Sequence, residues 1–127
     1  MKALIHSTPT LLAALFAALF LAPLTGCQST PKLNSPEERA QWPLTVDAAV
    51  TRLISELPPD RKQQIANYKK DDLIMEHFGL GLYIRNYYGL WRGNKSLLRS
   101  TGRKHPDDAS GVILDALWRR LRTQKSQ

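Results

Sequence analysis

The segment "HPDDAS" at residues 105–110 gathers a histidine, two aspartates and a serine within six residues. These are the residue types of a Ser-His-Asp hydrolase, but such triads are assembled by geometry and seldom lie within one helical turn. Pro106 fits the first turn of a helix, and Asp107 and Asp108 place favourable negative charge at its N-terminus. Helix capping therefore explains the segment best, and His105, Asp107 and Asp108 are weak catalytic candidates.

His77 is the second histidine that could carry chemistry. Its neighbours three and four positions away are apolar or glycine, so no local partner forms a metal-binding pair or a catalytic dyad. We predict a buried, hydrogen-bonded structural histidine, and no metal or cofactor site. The alternative is a small hydrolase or ligand-binding protein that uses His77 or His105 with Asp107 or Asp108. That alternative requires these groups to converge across helices in a cleft.

Aromatic and arginine residues are concentrated in and just before the segment "YYGLWRGN" at residues 87–94. Exposed aromatic and arginine side chains on a turn are typical of protein or glycan contacts. The predicted binding residues are Arg85, Tyr87, Trp91, Arg92 and Asn94. The alternative is structural, with Trp91 closing the core and Asn94 capping the next helix.

The N-terminus carries a processing signal: Lys2 gives a positive start, an apolar run follows over residues 11–21, and "LTGC" ends at Cys27. These features resemble the bacterial lipoprotein signal, which implies cleavage before Cys27 and acylation of that cysteine, palmitate included. Gln28, in place of Asp, resembles the pattern exported to the periplasmic face of the outer membrane. The alternative is an ordinary secretion signal followed by a free thiol, and Cys27 is the single cysteine of the chain.

Three parts of the chain follow from this signal: a signal peptide over residues 1–26, an acylated cysteine and flexible tether over 27–41, and one domain over 42–127. The chain has 18 basic and 11 acidic residues and a formal charge of +7, which falls to +6 when Lys2 is removed. In a lipid-anchored protein this charge favours anionic lipid or cell-wall surfaces as partners over nucleic acid.

The apolar spacing predicts an all-α domain, a small bundle of four to five helices around a central apolar helix. Thr45 is the predicted N-cap of a first helix that Pro58 and Pro59 end. Asp60 is the predicted cap of a short second helix. Residues 71–88 are apolar nearly all round and predict the central helix, with close backbone approach at Gly79 and Gly81. A further helix begins at Pro106.

Three blocks together resemble an uncharacterised bacterial family, a small domain of unknown function found in secreted proteins and lipoproteins. The blocks run from Trp42 to Leu121: "WPLTVDAAVTRLISELPP", "DLIMEHFGLGLYIRNYYGLWRGNKSLL" and "HPDDASGVILDALWRRL". The resemblance implies one compact helical domain and supplies no catalytic residue. With no convincing nucleophile and base, we expect a non-enzymatic interaction module, anchored to the membrane through Cys27, that binds an envelope protein or a cell-wall glycan.

Overall fold

The computed structural model describes residue 32 and residues 34–126. The signal peptide and Cys27 lie outside the described residues. The described part folds into six α-helices and one 3-10 helix: α1 (Pro36–Ala40), α2 (Val46–Glu56), α3 (Pro59–Asn67), the 3-10 helix (Lys70–His77), α4 (Leu80–Tyr87), α5 (Lys95–Ser100) and α6 (Pro106–Lys125). It contains no strand, so the predicted all-α class is confirmed. None of these helices is long and apolar enough to cross a bilayer.

The first helices begin at residues whose chemistry fits helix starts. Thr45 caps α2 as predicted, and its hydroxyl accepts a hydrogen bond from the backbone N–H of Ala48 at 3.1 Å. The prediction that Asp60 caps α3 is wrong, because Pro58 is the N-cap and Pro59 is the first helical residue. Extended backbone at Pro58 and the fixed φ of Pro59 suit these two positions.

The predicted single helix over residues 71–88 is wrong. A 3-10 helix ends at His77, and α4 begins at Leu80 after a non-helical Gly79. The three-residue period of the 3-10 helix turns Glu76 inward, where its carboxylate pairs with Arg61 at 3.0 Å. A buried, paired glutamate thus replaces the apolar face that a regular helix would have presented.

The helix that occupies the middle of the described fold is α6. Helices α2, α3 and α4 and the 3-10 helix all pack against it. Its buried side chains are Ala109, Ser110, Ile113, Leu114, Leu117 and Leu121. Their spacing of three and four residues gives α6 one continuous buried face. These four helices therefore share α6 as a common support, whereas the sequence predicts residues 71–88 for this role.

The start of α4 packs closely against its neighbours at Gly81. A Cβ on Gly81 would lie 3.2 Å from the carbonyl oxygen of Glu76 and 3.6 Å from Leu114, which confirms the close approach predicted there. At Gly79 the nearest atom would be 3.5 Å away, an ordinary contact, so the close approach predicted at that position is wrong.

The folded part begins earlier than the tether prediction allowed. Helix α1 occupies residues that were assigned to the tether, and the hydroxyl of Ser35 caps it by accepting from the N–H of Glu38 at 3.2 Å. Glu38 then pairs with Arg92 at 2.7 Å, which fixes α1 to the turn after α4. The contact joins residues 54 apart in sequence, so local pattern could not predict it.

Candidate functional site

The turn between α4 and α5, residues 88–94, is the candidate site for presenting side chains to a partner. Gly89 has φ +75°, and a Cβ there would lie 2.6 Å from the indole ring of Trp42. Both the left-handed conformation and the close contact with Trp42 require glycine. The carbonyl of Gly89 accepts hydrogen bonds from the N–H groups of Arg92 and Asn94, each at 2.9 Å, and these bonds close the turn.

Asn94 holds this turn from the inside. Its side-chain oxygen accepts from the N–H of Leu97 at 3.1 Å and caps α5. Its side-chain amide donates to the carbonyls of Pro43 and Tyr88, each at 2.8 Å. Asn94 is buried, so the prediction that it belongs to an exposed surface is wrong. The alternative that it caps the following helix is confirmed.

Arg92 holds the turn from the outside. Its guanidinium pairs with Glu38, its Nε donates to the carbonyl of Asn86 at 2.9 Å, and it lies over the Trp42 ring at 5.3 Å. The hydrogen bond from Arg92 lowers the pKa of the Glu38 carboxyl. Most of the Arg92 side chain is covered by these contacts. The residue therefore fixes the turn and offers little free guanidinium to a partner.

Trp91 and Tyr87 are the predicted binding residues that remain outward. Trp91 is 50% exposed although its turn is held on both sides. Its ring packs edge-on against the His105 ring, with centroids 5.3 Å apart. Tyr87 is also exposed and stacks on Tyr83 at 4.7 Å. These contacts restrict both rings while leaving part of each accessible.

Arg85 is only 4% exposed, so the prediction that it forms part of a surface is wrong. Its Nε pairs with Asp107 at 3.0 Å, and its two terminal nitrogens donate to the Ser110 hydroxyl at 3.0 Å and the His77 carbonyl at 3.1 Å. One buried guanidinium thus joins α4, the start of α6 and the end of the 3-10 helix. Such a contact is structural in character.

His105 has the capping role that the sequence favoured. Its Nδ1 accepts from the N–H of Asp107 at 3.3 Å at the start of α6. The Asp107 carboxylate lies 3.4 Å from the same nitrogen and also pairs with Arg85. The His105 ring therefore contacts both the first turn of α6 and the Trp91 ring, and the exposed part of His105 lies next to Trp91.

A cleft of about 710 Å³ brings His77 together with both aspartates of the alternative hypothesis. It is lined by Lys70, Ile74, His77, Arg103, Asp107, Asp108, Gly111, Val112, Asp115 and Arg119. The prediction of a buried His77 is wrong, because the ring is partly exposed at this cleft. His105 is not among the lining residues. Within residues 34–126, no group of three His, Cys, Asp or Glu side chains is placed to hold a metal ion.

Sequence reasoning missed an exposed apolar segment. Phe78 is 83% exposed, Met75 75% and Ile74 69%, and Leu82 of α4 is also exposed. We define these four residues as the 74–82 apolar surface. Their apolar spacing predicts a buried helix. The inward turn of Glu76, whose partner Arg61 lies 15 residues away in sequence, reverses that arrangement.

Comparison with known proteins identifies a family for this chain but no activity. No curated protein matches the chain, and no solved structure matches it. A family model described as "Domain of unknown function (DUF6794)" matches residues 42–121. This range coincides with the Trp42–Leu121 resemblance and contains α2 to α5, the turn and most of α6. The chain therefore belongs to this family of domains of unknown function.

Proposed function

We propose that this protein is a lipid-anchored interaction module of the bacterial cell envelope. Acyl chains on Cys27 hold it at a membrane, at the periplasmic face of the outer membrane by the sequence pattern around Cys27. Trp91 and Tyr87 contact an envelope protein or a cell-wall glycan. Arg85, Arg92 and Asn94 position these aromatic rings from within the fold.

The observation that carries the proposal is a half-exposed Trp91 on a turn fixed by buried polar contacts. Binding costs free energy for every side chain and loop that must become ordered. Contacts of Asn94, Arg92 and Gly89 inside the domain already order this turn in the free protein. Binding therefore does not require further ordering of the turn. Tryptophan is also the residue type that most often dominates binding energy at protein interfaces.

The same geometry suits two kinds of partner. A tryptophan ring can fill a pocket on a protein or pack against the apolar face of a sugar ring, because its ring is flat, large and only weakly polar. His105 occupies one edge of Trp91 and leaves the partner to approach the remaining exposed surface. Sensitivity of the crosslinked product to cell-wall digestion decides which class of partner binds.

The test is photo-crosslinking in cells of the source organism, with a photoreactive amino acid at Tyr87 and detection by mass spectrometry. We expect a discrete product that is lost in Trp91→Ala. Leu44→Ala is the matched control, because Leu44 is also a large exposed apolar residue. A product sensitive to cell-wall digestion identifies a glycan, and a resistant product identifies a protein. Equal crosslinking in Trp91→Ala, Leu44→Ala and the wild type would contradict the proposal.

A second candidate function is favoured by the cleft, which gathers His77, Asp107 and Asp108. A small ligand-binding protein, or a hydrolase, could use an imidazole and a carboxylate that line the same cavity. The ion pair with Arg85 already engages Asp107, so Asp108 is the carboxylate more available to a ligand. Muropeptide-induced thermal shifts test this function: His77→Gln should abolish the shift, and His105→Ala should retain it. No shift in the wild type would contradict it.

A further inference from the structure

The 74–82 apolar surface leaves large apolar side chains outside the core. Phe78, Met75 and Ile74 each expose more than two thirds of their surface, and Leu82 adds to them at the start of α4. Exposed apolar residues are ordinary when scattered singly, but four within nine residues of sequence are the kind of group that indicates an interaction site.

The outward direction of these side chains is fixed by what lies beneath them. Glu76 sits between Met75 and Phe78 in sequence and is buried. Its carboxylate accepts hydrogen bonds from Arg61 at 3.0 Å and from the Tyr68 hydroxyl at 3.1 Å. Rotating the 3-10 helix to bury Met75 or Phe78 would break this ion pair, which is buried on the glutamate side, and would leave the buried carboxylate without its partners, which is costly. The apolar side chains are therefore held in the solvent.

Positive charge lies beside the same surface. Ile74 lines the 710 Å³ cleft together with Lys70 and Arg103. Arg119 of this cleft is paired with Asp115 at 2.8 Å, and the lining Asp107 is paired with Arg85. Lys70 and Arg103 form no ion pair with any described residue, and they outnumber Asp108, the lining carboxylate that likewise has no ion pair among the described residues. The chain as a whole carries a formal charge of +7. Apolar side chains flanked by free cations on a basic protein are the pattern of a surface that enters an anionic membrane interface.

We propose that the 74–82 apolar surface docks on an anionic phospholipid bilayer, with Lys70 and Arg103 at the level of the headgroups. The inference rests on the proposed function in one respect, because acylation of Cys27 brings a bilayer close. From Cys27 to Ser35 the chain can span at most about 28 Å. Helix α1, which starts at the next residue, is fixed to the turn at one end of α4, and Phe78 precedes the other end. Since α4 is only about 12 Å long, the membrane lies within reach of Phe78.

The test measures membrane depth at single positions of the mature protein purified from membranes. Acylated Cys27 does not react with thiol reagents, so Phe78→Cys or Met75→Cys supplies one site for an environment-sensitive fluorophore. The matched control is Lys95→Cys, at an exposed position at the start of α5. Each labelled protein is placed in vesicles of phosphatidylcholine alone or with phosphatidylglycerol, with brominated acyl chains as quenchers. The mass of the purified protein reports acylation of Cys27 independently.

We expect blue-shifted, bromine-quenched emission at positions 75 and 78 in vesicles that contain phosphatidylglycerol, and water-like emission at position 95. Lys70→Gln and Arg103→Gln should each lower the docked population about fivefold, from the usual contribution of one cation near an anionic surface. Water-like emission at 75 and 78 in both vesicle types would overturn the inference. So would a crosslink from position 78 to one protein in cells without quenching in vesicles. If the mass shows that Cys27 is not acylated, bromine quenching in vesicles that contain phosphatidylglycerol would still support docking. The proposed acyl anchor would then be refuted.

Discussion

Replacing Gly89 with alanine should destabilise the protein through two separable effects. The first is conformational: φ is +75° at Gly89, and the left-handed region costs an alanine about 1–2 kcal/mol. The second is steric, because the new Cβ would lie 2.6 Å from the Trp42 ring, closer than such atoms approach. Trp42 is buried, and complete loss of a buried tryptophan side chain costs about 3–5 kcal/mol. A partial displacement therefore adds about 2–3 kcal/mol.

Gly102→Ala provides the matched control. Gly102 has φ +68°, close to that of Gly89, but no atom would lie within 4 Å of its Cβ. This variant should therefore lose only the conformational part, about 1–2 kcal/mol. Gly89→Ala should lose about 3–5 kcal/mol in all, measured by urea denaturation with an unchanged m-value. Equal losses in the two variants would refute the steric part of the reasoning.

A double-mutant cycle locates the steric effect. With Trp42→Leu already present, the ring that the new Cβ would meet is gone, so adding Gly89→Ala should cost no more than Gly102→Ala does. The coupling between positions 42 and 89 should then be about 2 kcal/mol, well above the scatter of additive pairs. A coupling near zero would mean that Trp42 moves freely and does not support the turn. Because Arg92 lies over Trp42, loss of this support should also weaken the crosslinking at position 87 that depends on Trp91.

The remaining predictions concern buried polar contacts and their response to pH. Arg85→Met should lower the free energy of unfolding by about 2–4 kcal/mol, because it strands the groups that the buried guanidinium satisfies; thermal denaturation measures this, and a loss under about 0.5 kcal/mol, usual for surface changes, would contradict it. Hydrogen bonding to Arg92 lowers the pKa of Glu38 in the fold, so the pair's contribution should be complete above pH 4.5 and lost as pH falls through the folded pKa. Glu38→Gln should lack this acid-dependent part in unfolding curves, and an unchanged acid profile would count against the pair. Burial, and then the charge of Glu56, raise the pKa of Tyr88 above 10.0. The contribution of this hydroxyl to the free energy of unfolding should therefore be complete below pH 10 and fall as pH rises further. Glu56→Gln should reduce that alkaline loss in denaturant titrations, and an identical loss would show that Glu56 plays no part.

The sequence predicted well those elements whose signals are local. The Thr45 cap, the proline pair and the apolar spacing placed α2 correctly, and Pro106 with its aspartates placed the start of α6. Each of these signals lies within a few residues of the element it defines. Helix starts and amphipathic faces are set by such short-range contacts, so they can be predicted from one sequence.

The sequence could not reveal features that depend on distant partners. Residues 71–88 have the apolar spacing of one helix, yet Glu76 turns inward because Arg61 and Tyr68 meet it from positions 15 and 8 residues earlier. Arg92 looked like a surface anchor, but its partner Glu38 comes from a segment expected to be a tether. Trp91 was recognised as a candidate from its residue type and turn. Its partial exposure could be learned only from the fold.

The two proposed contact surfaces are related through α4. Three residues of the 74–82 apolar surface come just before α4 in sequence, and Leu82 lies in its first turn. The turn that carries Trp91 follows the C-terminal end of α4. Gly81 packs the start of α4 tightly against the backbone of the 3-10 helix, and Gly89 packs its end against Trp42, so the helix has little freedom to tilt. Docking residues 74–82 on a bilayer would therefore fix the height and direction of Trp91 relative to the membrane. An acyl anchor alone restricts distance but not orientation, since a lipid chain leaves the domain free to rotate about its attachment. Membrane docking at one end of α4 would thus lower the orientational cost of binding at the other end without any direct contact with the partner.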